Sequence, residues 1–287
     1  MKHLCYLTYE DNPEDPDPDF DKPILISALD EIGYRVSPQN WRKAKDLEQF
    51  DAVLIRSPWD YSQHLSEFLQ WFQYWESLVK FINPPKIVLE NIDKRYLFKL
   101  AEFGIPIIPS QLIDNKVPSL QNVDYEQKLV LKPVIGAGAR GAFTTENKAQ
   151  FLTGVEKHFE ASEISLLLQP YLSEVDLQGE IAVVCCNGVP LHAVTKRPAL
   201  SQGGHGDFQS RIEMSTDLLS FVDSVQDFQV AEKPVRDLWY SRIDVVPTAN
   251  GYLVMELELF EPTLFLQQNP KSAKVFAEKL KSHLVGP

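Results

Sequence analysis

The chain has 287 residues, with 28 Lys and Arg against 40 Asp and Glu, a net charge of −12, and 44% hydrophobic residues. That length suits two or three packed lobes of an ordinary water-facing protein, and the negative surface argues against nucleic acid as a partner. An odd set of cysteines, Cys5 and the adjacent Cys185 and Cys186, argues against a disulfide framework; with no signal-peptide pattern after Met1 and no bilayer-length apolar run, a cytoplasmic location away from membranes is expected.

The elements are read in chain order. Leu4 to Tyr9 is a buried strand, and an acidic, proline-rich loop follows from Glu10 to Asp19. Ile24 to Ile32 has helical spacing and stops at Gly33. Tyr34 to Val36 and Ala52 to Ile55 read as strands, and His64 to Leu78 as an amphipathic, aromatic-rich helix. This alternation predicts a parallel α/β lobe over residues 1–85. Ile92 to Phe103 reads as one helix closed by Gly104, Ile107-Ile108 as a short extended piece, Leu129 to Lys132 as a strand and Phe151 to Phe159 as a helix. Leu166 to Gln169, Ile181 to Cys186 and Leu191 to Thr195 read as strands, the last two joined at Asn187-Gly188. Leu218 to Ser224, Val230 to Leu238 and Lys271 to Leu284 have helical spacing. The second lobe is placed at 86–172 and the third at 173–287.

Ile243 to Val246 and Tyr252 to Leu257 flank Asn250-Gly251, a hairpin signal. Side chains alternate along a strand, so Arg242 and Asp244 share one face and Glu256 and Glu258 share another. If the two faces point the same way, three carboxylates and an arginine converge. Crowded carboxylates call for a cation, and hard cations such as magnesium take oxygen ligands. A solvated acidic hairpin face is the competing reading.

Upstream, Lys132 ends a strand just before Gly136-Ala-Gly138-Ala-Arg-Gly141. Glycines admit backbone N–H groups close to an anion, and a lysine adds a point charge. The run lacks the G-K-[ST] ending of a Walker loop. Gln169-Pro-Tyr171-Leu172 is a strand exit able to offer backbone groups and an aromatic ring to a base. A second glycine-rich stretch, Ser201 to Phe208, reads as a mobile loop over substrate or a plain flexible turn. No His/Cys set has zinc spacing.

The order of these features resembles the ATP-grasp superfamily of carboxylate–amine ligases. Arg56-Ser-Pro-Trp59-Asp60-Tyr61, Asn83-Pro-Pro85, Asp93 to Tyr96, His192 to Lys196 and Met255 to Pro262 look like its glutathione-synthetase-like branch, which contains the cycloserine-forming cyclo-ligase group. The resemblance implies an ATP-grasp fold, with the parallel lobe followed by two α+β lobes that clasp ATP. It places Lys94, Lys132, Gly136, Gly138 and Gly141 at the phosphates. Gln169, Tyr171 and Leu172 would meet adenine, Asp176 or Glu180 the ribose, and Lys196 the phosphates or adenine. Asp244, Glu256 and Glu258 would hold two Mg2+ ions, with Mn2+ as a substitute, and Arg242 and Lys196 would be catalytic. Arg56, Trp59, Asp60, Tyr61, Asp207 and Arg211 are the substrate-side candidates, with an aromatic plug between lobes as the competing reading of Trp59, Asp60 and Tyr61.

The family's mobile loop commonly reads Gly-Asp-Phe-Arg, whereas here Gly206-Asp207-Phe208 is followed by Gln209, with Arg211 two places on. The substrate therefore need not match that of the cyclo-ligases. The expected activity is ATP-dependent amide formation through an acyl phosphate, with small-molecule carboxylate and amine partners and a homodimer left open. A nucleotide-binding regulator without turnover and a ligase that adds amino acids to a polypeptide are the competing functions.

Overall fold

A computed structural model of the chain describes residues 1–10, 18–115, 123–197, 200 and 210–284. Most of the acidic loop, and the stretch Ser201–Gln209 with its candidate Asp207, lie outside the described residues.

The first lobe is built on β1 (His3–Thr8), α1 (Asp21–Glu31), β2 (Arg35–Asn40) and β3 (Ala52–Ser57). Its strands pair in parallel in the order β2-β1-β3. Every residue of β3, and β1 from Leu4 onward, is buried, as expected for parallel strands covered on both faces. The Asp19 carboxylate accepts from the backbone N–H groups of Asp21 and Lys22, both at 3.1 Å, and so serves the free end of α1. A single turn at Trp59–Gln63 leads into α2 (Leu65–Trp75), whose Phe68, Phe72 and Trp75 recur at helical spacing and bury against Trp41, Tyr61 and Phe81.

The helix expected over Ile92 to Phe103 is in fact two, α3 (Pro85–Asn91) and α4 (Tyr96–Glu102). At the break, the Lys94 N–H donates to the Val134 carbonyl at 2.7 Å, outside any helical ladder. Tertiary bonding there overrides the apolar periodicity, and it draws Lys94 to the glycine-rich loop.

Next come β4 (Gln111–Ile113), β5 (Leu129–Pro133), β6 (Phe143–Thr145), α5 (Lys148–Ala161) and β7 (Leu166–Pro170). They form an antiparallel sheet in the order β4-β7-β5-β6, backed by Phe151 and Val155 of α5. After α6 (Glu174–Gln178) the chain builds β8 (Glu180–Cys186), β9 (Val189–Lys196) and β10 (Ser210–Ile212), then α7 (Thr216–Gln226). The predicted Val230–Leu238 helix is absent. Its place holds a tight pair, β11 (Gln229–Val230) with β12 (Lys233–Pro234), and a short 3-10 turn. Ala231 and Glu232 take positive φ there, and Pro234 has no N–H for a helical bond. The chain closes with β13 (Ser241–Thr248), β14 (Gly251–Glu258) and α8 (Lys271–Leu284). The second antiparallel sheet runs β10-β9-β8-β13-β14.

Two cores position the cleft. Leu4, Tyr6 and Leu29 of the first lobe share a cluster with Ala182, Val184 and Val194 of the five-stranded sheet and with Trp239 and Phe276. A smaller cluster, Ile108, Val175 and Val246 with Tyr171, Leu172, Leu253 and Met255, joins the two antiparallel sheets. Strand β14 is a sheet edge, and its outward backbone groups are taken at Val254 by the backbone of Pro106 and Ile108 and further on by side chains. Asn91 bonds the Leu257 carbonyl and the Leu259 N–H, both at 2.8 Å, and the Tyr96 hydroxyl accepts from the Leu257 N–H at 2.9 Å. Among the described residues no helix is long and apolar enough to cross a membrane.

Candidate active site

The hairpin register sets Arg242 opposite Glu258 and Asp244 opposite Glu256. Paired residues of antiparallel strands lie on one side, so all four project from a single face. Asp244 and Arg242 also pair with Ala182 and Val184 on β8, and those two belong to the core shared with the first lobe. The charged face is therefore the one turned toward that lobe. Ile243, Val245 and Leu257 point the other way, into the main core.

Each of the four sequence-predicted cations has a partner near this face. Arg242 grips Asp244 through Nε and Nη2, both at 2.8 Å, and its Nη2 also meets Glu258. Lys196, at the end of β9, bridges Asp244 at 3.1 Å and Glu180. Lys132 reaches across from β5 to Glu256 at 3.1 Å. Lys94 Nζ donates to the Gly136 carbonyl at 2.8 Å. Gly179 has a reason to be glycine: its φ is +74°, and a Cβ there would stand 2.8 Å from the Lys196 carbonyl, so it allows β8 to begin against the end of β9.

The charges are unevenly balanced. Burial would raise Glu256, but Lys94, Lys132 and Lys196 outweigh it and hold its pKa down to about 2. Asp244 is likewise held low against burial by Arg242 and Lys196. Burial disfavours the Lys196 ammonium, but Asp244 and Glu180 outweigh it and keep the group protonated. Glu258 goes the other way, pushed up to about 7 by burial and by Asp244 and Glu256 despite Arg242. Arg242 gives two bonds to Asp244 and one to Glu258, so it offsets the burial of Glu258 only in part. Glu261, just past β14, is pushed up to about 8, first by burial and then by Glu258.

The donor set fits a hard divalent cation. Asp244, Glu256 and Glu258 supply only carboxylate oxygens, the donors that a hard cation takes. As placed, however, no three His, Cys, Asp or Glu side chains among the described residues stand close enough to hold a metal. Lysine and arginine heads sit between the carboxylates instead.

On the nucleotide side, Gly138, Ala139 and Gly141 take positive φ in one tight turn. Arg140 in that turn donates to the Trp59 carbonyl of the first lobe. Gln169 is buried and donates to Ser110 Oγ at 2.9 Å. The Tyr171 hydroxyl donates to Asp176 at 2.6 Å, and Lys128 Nζ lies 3.7 Å from the centre of the Tyr171 ring. Leu172 lines the apolar cluster between the two antiparallel sheets. Of the two ribose candidates, Glu180 is buried against Lys196, while Asp176 is near the surface beside Tyr171.

The substrate-side candidates are arranged differently from an open pocket lining. Arg56 is 1% exposed, donates to the Pro262 carbonyl at 2.6 Å and stacks 4.7 Å from the Tyr240 ring centre. Trp59 Nε1 donates to the Glu261 carbonyl at 2.9 Å. Tyr61 is 1% exposed, packs edge-on against Phe260 and directs its hydroxyl at the Glu261 carboxyl. Asp60 accepts from Trp41 Nε1 at 2.6 Å. The motif thus holds residues 260–262. Arg211 is exposed on β10, opposite Val194 and away from these contacts.

Glu261 is the residue that the sequence reading missed. It lies inside the Met255-to-Pro262 run already singled out, but no local pattern shows that a segment some 200 residues earlier in the chain converges on it (Trp59 to Glu261 spans 202).

Comparison with known proteins gives concordant matches. Residues 4–83 match the family described as D-cycloserine synthetase DcsG, N-terminal domain, and residues 97–263 match prokaryotic glutathione synthetase, ATP-grasp domain. The chain is 28% identical to cycloserine biosynthesis protein DcsG of Streptomyces lavendulae, over 93% of this chain and 94% of that protein. It resembles the crystal structure of D-cycloserine synthetase DcsG with a TM-score of 0.86 at 25% identity, over 99% of this chain and 100% of that one. It also shares its fold with D-alanine–D-alanine ligase from Bacillus anthracis in complex with ATP, at a TM-score of 0.63 and 16% identity, over 99% and 96% of the two chains.

Proposed function

Since the chain belongs to the prokaryotic glutathione synthetase ATP-grasp family, we propose that its charged cleft joins a small amino-acid-like carboxylate to an amine by way of an acyl phosphate. The chain is an ATP-dependent carboxylate–amine ligase, an enzyme that uses ATP to form a carbon–nitrogen bond. Its family binds ATP and a divalent metal.

The observation that carries it is the single face bearing Arg242, Asp244, Glu256 and Glu258, met by lysines from three other segments. A carboxylate resists attack by an amine because oxide is a poor leaving group. Transfer of the ATP γ-phosphoryl group supplies a good one. Lys94 and Lys132 would leave Gly136 and Glu256 for the α- and β-phosphates, and Lys196 would support the same charges. Magnesium, two ions in this reading, would be held by Asp244, Glu256 and Glu258 and would neutralise charge on the transferring group. The ammonium heads now between the carboxylates act as placeholders for that charge. Adenine would enter the slot of Tyr171, Leu172 and Met255, with Gln169 at its edge and Asp176 or Glu180 at the ribose. Gly136, Gly138 and Gly141 would present N–H groups to the phosphates. Arg242 would stabilise the acyl phosphate and the oxyanion formed on attack.

The proposed substrate class rests on one contact between lobes. The Arg140–Trp59 contact draws the glycine loop against the first lobe, which favours a small acceptor over a polypeptide end. The division at residues 85 and 172 belongs to the same proposal, with the first lobe serving the substrate and the other two the nucleotide and metal.

The test is ADP release across a panel of amino acids, dipeptides and longer peptides, with magnesium or with excess chelator. The expected result is ADP and phosphate from a small donor–acceptor pair, lost on chelation. Turnover equal in chelator, or with long peptides alone, would contradict the proposal.

A further inference from the structure

We propose that Glu261 receives the ammonium group of the acceptor amine, and that the Arg56-to-Tyr61 segment serves to hold it in place. The inference rests on the ligase reading and adds the chemistry of the second substrate.

Three observations carry it. Among the described residues, Glu180, Asp244, Glu256 and Glu258 each have a lysine or arginine at ion-pair distance, whereas Glu261 has none. It is half-buried, and the two cations that act on its carboxyl, Lys94 and Arg242, bond the Gly136 carbonyl and Asp244, so an ammonium from outside the chain would be its ion-pair partner. Its position is also heavily determined. Tyr61 meets its carboxyl, Trp59 bonds its carbonyl, Arg56 bonds the next carbonyl, and the Tyr61 ring packs on the residue before. One short segment of the first lobe thus fixes three consecutive residues of another part of the chain. A carboxyl with no task beyond filling space would not need that many constraints.

The third observation is order along the chain. Leu253 and Met255 line the apolar slot, Glu256 meets Lys132, Glu258 meets Arg242, and Glu261 comes last, against the first lobe. Glu261 lies three residues past Glu258, in the bend that follows β14. Nucleotide, activated carboxylate and amine would therefore line up in that sequence, with the amine entering from the side that the nucleotide leaves free. An ammonium bound at Glu261 and oriented toward the carbon held at Arg242 would give one proton to the Glu261 carboxylate, and the freed lone pair would then attack that carbon as the bond from it to the phosphate oxygen breaks and phosphate leaves. That orientation is worth a large rate factor, because it replaces a bimolecular encounter. The acceptor is then a primary amine, cationic in its resting form, and not an alcohol, thiol or neutral amide.

The experiment compares a neutral and a cationic acceptor. Hydroxylamine, largely uncharged at neutral pH, traps an acyl phosphate as a hydroxamate. Each common amino acid, in L and D form, is offered as donor with magnesium ATP, with hydroxylamine or with the amino acid's own amine as acceptor. Glu261→Gln should raise KM for the cationic amine tenfold or more while changing KM for hydroxylamine less than threefold, and Glu261→Asp should recover part of the loss. Tyr61→Phe should give the same split, smaller, because it loosens the carboxyl without removing it. Melting curves confirm folding; if the Gln variant does not fold, the Asp variant must show the split. Equal loss with both acceptors, or no change with either, overturns the assignment of Glu261. A folded parent that forms no hydroxamate from any donor overturns the ligase reading, and this proposal with it.

Discussion

Arg242 and Asp244 lie two residues apart on one strand and are joined side by side through two 2.8 Å contacts, Nε to Oδ1 and Nη2 to Oδ2. A two-point match of this kind needs the planar guanidinium fork. It fixes the orientation of the arginine in advance, with one nitrogen also reaching Glu258. Arg242→Ala should lower turnover by roughly a hundredfold or more, as loss of one oxyanion stabiliser does. ATP affinity should change less, since the charge concerned develops after activation. Lysine should rescue poorly. Steady-state kinetics checks this, and parent-rate turnover with only ATP affinity reduced would make Arg242 a nucleotide contact.

Lys132 is tied to Glu256 across the cleft. Lys132→Ala removes one of three lysines that hold Glu256 near a pKa of about 2. ATP should bind more weakly, and the Glu256 carboxylate should titrate nearer its ordinary value. Calorimetry and melting temperature measured together separate two roles. Unchanged affinity with a large drop in melting temperature would mean that the lysine is only an internal counter-ion.

The raised Glu258 and Glu261 predict a pH dependence of stability with a definite sign. Their folded values of about 7 and about 8 lie above the ordinary 4.5. Between those limits the folded chain holds protons that the unfolded chain has lost, so stability falls as pH rises from about 4.5 through 7 to 8. Glu256 acts oppositely, and its contribution is lost as pH falls from 4.5 toward 2. Without nucleotide or metal, the melting temperature should decline from pH 5 to pH 8, and Glu258→Gln should flatten the decline. A melting temperature that rises across that interval would count against the charge arrangement.

Asn83 tests how the first lobe is fastened. Its Nδ2 donates to the carbonyls of Tyr240 at 3.0 Å and Leu259 at 2.6 Å, and its Oδ1 accepts from the Trp239 N–H at 3.1 Å. Asn83→Ala would leave three buried backbone groups unpaired, a loss on the order of 3 kcal/mol. Urea unfolding should show it as a lower midpoint with little change in slope. A loss below about 0.5 kcal/mol would mean that water takes over those bonds.

Much of this site was readable in the sequence because its residues obey a local period. Arg242 with Asp244, and Glu256 with Glu258, are each spaced by two, and Asn250-Gly251 marks the turn, so one hairpin delivers four groups to one face. Helix spacing was less dependable. Val230, Val235 and Leu238 imitate a helical stripe, yet two positive-φ residues and Pro234 build a tight strand pair there. Ile92 to Phe103 has the right periodicity, but a bond from Lys94 to Val134 breaks it. The least legible part is the hold on Glu261. In sequence the Arg56-to-Tyr61 stretch reads as a pocket lining or as a plug between lobes, and only the packing of the lobes shows that it grips residues 260–262, just past β14.

The central claim is that a carboxylate oxygen is transferred to phosphate during ligation. The direct measurement uses a donor amino acid labelled with 18O in its carboxyl group, incubated with magnesium ATP and an amine acceptor, followed by mass analysis of the released phosphate. An acyl-phosphate route predicts ADP together with phosphate carrying one 18O per turnover. Unlabelled phosphate, or AMP and pyrophosphate in place of ADP, would contradict it.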